Sequence, residues 1–162
     1  MALKILATFG FLGVLASTAW PQARDKTPVV AWTFTSVPIR ALQREAKFSL
    51  QVHGAIEPGW HIYALEEPAG GPMETTIGLA DRDEADLLHV EQSQPIANMD
   101  ASFGQRTLLF RSEAVFELQL KLKHTAPEAT HLHILIRFQS CNDHVCLPPH
   151  TDSLELPVSV KR

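Results

Sequence analysis

The sequence lacks the marks of most catalytic and nucleic-acid-binding classes. No Lys/Arg stripe runs through it. With 14 basic against 18 acidic residues its formal charge is -4, the wrong sign for a nucleic-acid binder. It has no glycine-rich phosphate loop, no hydrolase-type Ser/His/Asp arrangement and no paired carboxylates in a convincing context. No internal repeat, low-complexity tract or interdomain linker divides it. Beyond its first residues, no apolar run could cross a membrane. Cysteine is nearly absent: only Cys141 and Cys146 occur, so any cysteine chemistry lies in one pair.

What is present suits one exported domain. The chain has 162 residues, of which 45% are apolar, enough for a single domain with a real core. Met1 to Lys4 supplies a short positive region, and Ile5 to Ala16 an apolar stretch of signal-peptide length. Small residues follow from Ala16 to Ala19, which predicts a signal peptide over 1–19 with cleavage after Ala19. Ala23 is the later alternative, made poorer by Pro21. The apolar run is shorter than the ~20 residues of a spanning helix, and no lipobox cysteine follows it, so the mature chain is expected to have no membrane span. Export favours oxidised thiols, so the close pair is expected to form a disulfide at least part of the time.

Short period-two runs then succeed one another: 29–35, 47–55, 60–65, 75–79, a weaker 87–91, 107–111, 114–123, 131–139 and 154–160. The clearest sets Phe116, Leu118, Leu120 and Leu122 against Glu117, Gln119, Lys121 and Lys123. Another turns Leu132, Ile134, Ile136 and Phe138 inward. Pro38 to Lys47 is the only helix candidate, and Gly70-Gly71-Pro72 and Asp81 to Asp86 read as loops. The pattern is all-β, an antiparallel β-sandwich over about 29–160.

The stretch from Phe138 to Pro149 concentrates the chemistry. An alternating strand delivers Cys141, Asn142-Asp143 supplies turn chemistry, and Cys146 begins the return path. Four intervening residues allow a bridge across a hairpin. As a staple the bridge is weak, worth roughly 2 kcal/mol for so short a loop. A metal site would draw on His144 or His150, at a spacing unlike the usual zinc sites and against disulfide formation. A redox site needs one thiolate; His144 would favour it when protonated and Asp143 would oppose it. Pro148-Pro149 stiffens the following segment, a candidate docking edge. His131 and His133, on an outward strand face, read as solvated residues. On the residues alone, staple, metal site and redox site remain open. So does a non-catalytic binding module with a structural disulfide, or an extracytoplasmic metal carrier.

The segment Gln139-Ser140-Cys141-Asn142-Asp143-His144-Val145-Cys146-Leu147-Pro148-Pro149 resembles the active-site segment of the N-terminal periplasmic domain of the DsbD thiol:disulfide interchange family. Gly59-Trp60-His61-Ile62-Tyr63 resembles a second motif of that family, and the resemblance extends from about Val29 to Val160. It implies an immunoglobulin-like β-sandwich and a reductant shuttle without cofactor or metal. The shuttle would be reduced by a thioredoxin-like domain and would serve periplasmic thiol–disulfide proteins. It implies that Cys146 forms the mixed disulfide and Cys141 resolves it. Asp100-Ala101-Ser102-Phe103-Gly104 matches the family's cap loop, with Phe103 the residue expected over the disulfide and His61 and Tyr63 beside the pair. Ser102 stands where the family usually has a first cap aromatic, which implies poorer shielding or a different placement of Phe103. No electron-transferring membrane part or thioredoxin-like domain is recognisable here, so the reductant is expected on a separate chain.

Overall fold

The computed structural model describes residues 28–36, 41–101 and 103–161. Among these, eleven strands and no helix occur. The longest follow directly from alternation. β8 (Glu113–Leu122) buries every second residue over its ten, and β2 (Lys47–Ile56) and β9 (Ala129–Phe138) do so from their fourth residue on, as a sheet with one solvated face requires.

Three antiparallel sheets result. β1 (Val30–Ser36), β2, β8 and β5 (Ala85–Gln92) form the first, in the order β1-β2-β8-β5. The second is β11 (His150–Ser159), β9 and β4 (Thr76–Leu79), in that order. Their inner faces share one core, in which Leu50, Val52, Phe116, Leu118 and Leu120 meet Leu132, Ile134, Ile136 and Leu156. Each such side chain contributes on the order of 1.5–3 kcal/mol by leaving water. Four strands on three is the immunoglobulin-like sandwich that the sequence implies.

The third sheet positions the cysteines. It runs β10 (Ser140–Cys141), β3 (His61–Tyr63), β7 (Gln105–Phe110), β6 (Ile96–Asp100). Ile62 and Phe110 anchor it in the main core, with the Phe110 ring edge-on to Phe116 at 5.8 Å. Its other face holds a smaller cluster of Tyr63, Leu109 and Cys141.

Several expectations change. The helix candidate at Pro38–Lys47 is not helical where described. The Leu42 amide donates to the Ser159 carbonyl and its carbonyl accepts the Lys161 amide, and Glu45 takes a φ of 62° that no helix continues. Lys47 already belongs to β2. β6 and the two-residue β10 are additional strands, and β11 starts four residues before the expected Leu154. The signal segment at 1–19, with its alternative boundary at 23, lies outside the described residues.

Candidate redox site

Cys141 and Cys146 are joined, with S–S 2.04 Å and Cα atoms 4.0 Å apart. The chain reaches this point by changing sheets. β9 pairs with β11 as far as Phe138; after Gln139, Ser140 and Cys141 pair instead with Ile62 and His61 of β3. Asn142 then closes the loop, its Oδ1 accepting the amides of His144 and Val145 at 2.9 Å each. The Asn142 amide donates to the Val145 carbonyl and that of Leu147 to the Ser140 carbonyl. A side chain that stands in for backbone in this way is the reason asparagine favours turns.

The two sulfurs sit in unlike surroundings. Cys141 is 1% exposed, whereas Cys146 is partly exposed. Val145 and Leu147, on either side of Cys146, are exposed apolar residues. Phe103 packs against the Tyr63–Leu109–Cys141 cluster together with Cys146, and its ring meets Tyr63 edge-on at 6.3 Å. Gly104 holds this loop in shape. Its φ of 64° suits glycine above other residues, and its amide donates to the Asp100 carbonyl at 2.8 Å.

Beside the sulfurs runs a buried polar chain. The Tyr63 hydroxyl donates to Asp100 Oδ2 at 2.9 Å, and His61 Nε2 lies 3.2 Å from the same hydroxyl. With the phenol proton committed to Asp100, the network assigns Nε2 of a neutral His61 as the donor to Tyr63. Burial, then the Arg111 charge, lowers the His61 pKa below its ordinary 6.5, against the pull of Asp100 and Asp143. Burial and the bond to Asp100 push the Tyr63 pKa well above the ordinary 10, so the phenol stays protonated. A cleft of about 310 Å³ opens here, lined by His61, Tyr63, Asp100, Arg111, Cys141 and Asp143 among others.

The family described as "Thiol:disulfide interchange protein DsbD, N-terminal" matches residues 33–157, more than half of the chain. The chain belongs to the DsbD N-terminal family. The N-terminal periplasmic domain of ScsB from Proteus mirabilis is similar in structure, with a TM-score of 0.50 and 18% identity, over 81% of this chain and 45% of that one. That likeness bears on the fold. The DsbD n-terminal domain of Neisseria meningitidis, in its reduced form, aligns with a TM-score of 0.48 and 18% identity, over 74% of this chain and 82% of that chain. No curated protein matches.

Membership of the DsbD N-terminal family makes this a thiol–disulfide exchange domain, and the expected site residues can be placed in it. Cys141, Cys146, His61, Tyr63, Asp100, Phe103 and Gly104 come together at one end of the sandwich. Ser102 lies outside the described residues. His144 is in the cysteine loop but exposed, joined to it through its backbone amide. His150 lies apart, 2.8 Å from Asp152 and edge-on to Phe138. Among the described residues, no group of three or more His, Cys, Asp or Glu converges as a metal site. No described helix is long and apolar enough to cross a membrane. His133 is more than a solvated residue, since its Nδ1 lies 2.9 Å from a buried Asp83 carboxylate. Arg111 and Leu109 were missed as site residues. Nothing in a lone arginine or leucine signals a site before the strands are paired.

Proposed function

We propose that the chain is a periplasmic electron relay, exported by residues 1–19, with the working domain at about 29–160. It takes reducing equivalents from a thioredoxin-like domain on a separate chain and passes them to exported partner proteins. The observation that carries this reading is the unequal exposure of the two cysteines. A thiolate attacks the sulfur it can reach, which is Cys146. The donor thiolate bonds to Cys146 Sγ and the Cys141–Cys146 bond breaks, with Cys141 leaving as a thiolate that takes up a proton. The donor's second thiol then releases the pair as a dithiol, and two electrons have moved. In the onward direction the Cys146 thiolate attacks a partner disulfide and Cys141 resolves the mixed disulfide. The thiols carry the electrons themselves, so the reading calls for no metal or cofactor. Phe103 serves as the cap, and Val145 and Leu147 form an apolar rim for the partner.

The test is a trap. The Cys141→Ser variant, mixed with a disulfide-bonded thioredoxin-like protein, is expected to accumulate a mixed disulfide at Cys146, located by peptide mass spectrometry. Wild-type protein should turn over without accumulating it. Failure of the wild-type pair to exchange with any thioredoxin-like protein would leave the disulfide as a brace and end this reading.

A further inference from the structure

Cys141 has a proton problem that its surroundings define. As the resolving residue it must attack as a thiolate, yet it is enclosed by Tyr63 and Leu109, and apolar surroundings disfavour thiolates. Some group must take the proton. Cys141 is the register partner of His61 across β10 and β3, and directly opposed residues of an antiparallel pair place their Cβ atoms roughly 4.5–5.5 Å apart. Both line the same cleft. His61 Nε2 is committed to Tyr63, whereas its Nδ1 is buried and finds no hydrogen-bond partner among the described residues. In the tautomer assigned above, Nδ1 carries a bare lone pair. An unpartnered buried acceptor is costly, and one beside a sulfur that becomes an S–H donor on reduction has a use.

We infer that His61 is the general base for Cys141, its Nδ1 accepting the thiol proton in the resolving step. This rests on the exchange function proposed above. Cys141 S–H gives its proton to Nδ1, the Cys141 thiolate attacks Cys146 Sγ, the Cys141–Cys146 bond forms and the bond from Cys146 to the partner sulfur breaks. The departing partner thiolate takes the proton back, and His61 ends neutral. In the reverse direction the imidazolium protonates Cys141 as it leaves. Several groups set how readily the ring accepts the proton. Tyr63, held by Asp100, receives the Nε2–H bond. Asp100 and Asp143 favour the imidazolium, and Arg111 opposes it.

The experiment follows reduced protein reacting with glutathione disulfide, quenched and resolved by mass spectrometry into formation and decay of the Cys146 mixed disulfide. His61→Gln keeps a donor to Tyr63 but cannot take up a proton at neutral pH. It is expected to slow decay of the mixed disulfide by at least about 10-fold at pH 7, since general-base catalysis typically contributes on the order of 10²–10⁴-fold. It should also remove the acid limb of the decay rate that titration of His61 produces in the wild type. Decay within twofold of wild type, with the same pH profile, would overturn the inference. In the Cys141→Ser background, His61→Gln should leave formation of the mixed disulfide unchanged. If Cys146 forms none even with His61 intact, the exchange function itself falls. The unmutated protein gives a second reading: nitrogen NMR should show the His61 Nδ1 resonance shifting when the pair is reduced. An unmoved resonance would likewise refute the role.

Discussion

The Tyr63 hydroxyl serves two neighbours at once, donating to Asp100 and receiving from His61. Tyr63→Phe keeps the ring in its cluster but leaves a buried carboxylate with one donor fewer. Such a loss costs about 1–3 kcal/mol, to be read as a lower urea midpoint with an unchanged slope. His133 provides a contrasting titration. Its pKa is raised above 6.5 by the hydrogen bond to Asp83, so the folded state binds the proton more tightly than the unfolded chain. The resulting stabilisation is complete below pH 6.5 and is lost as pH rises through the folded value. His133→Gln should therefore lower Tm more at pH 5.5 than at pH 8.5. The cysteines and the turn-forming Asn142 were legible in the sequence because their chemistry is local. The Tyr63–Asp100 bond was not, since it joins residues 37 positions apart whose proximity depends on strand pairing. Only the family resemblance put them in one neighbourhood.

Strands were legible where one face is buried and the other is not. β2, β8 and β9 read cleanly for that reason. β5 read weakly because its register slips between Leu87 and His89, which breaks the alternation. β6 escaped notice because it lies at a sheet edge, with Ile96 52% and Met99 70% exposed, so no buried face signals its period. Within the first sheet, β1 and β2 meet in a tight cross-strand pair of Trp32 and Gly54. A Cβ added to Gly54 would clash with Cζ3 of the Trp32 ring, so the indole occupies the space the glycine leaves. Gly54→Ala is expected to displace the ring and cost about 1–3 kcal/mol, measured by urea denaturation, with a change in tryptophan emission.

The whole molecule is expected to fold without its disulfide. The bridge closes a loop of only five positions' separation, which the chain-entropy estimate values at roughly 2 kcal/mol, while the core is built by both main sheets. Cys141→Ser/Cys146→Ser should stay folded, with a Tm lowered by less than about 10 °C; outright unfolding would contradict this. A relay needs that independence, because it must be equally well folded oxidised and reduced. A further consequence follows from the β6–β7 hairpin. Asp100 ends β6, Phe103 lies three residues on, and the Gly104 amide bonded to the Asp100 carbonyl ties the two together. Uncovering the Cys141 cluster and releasing the Tyr63 phenol thus draw on the same piece of chain. Two equilibria that share an element are linked reciprocally. On the proposed relay reading, a partner that holds the hairpin away from the sulfurs would also withdraw Asp100 from the Tyr63 hydroxyl, and so shift the affinity of the phenol oxygen for its proton.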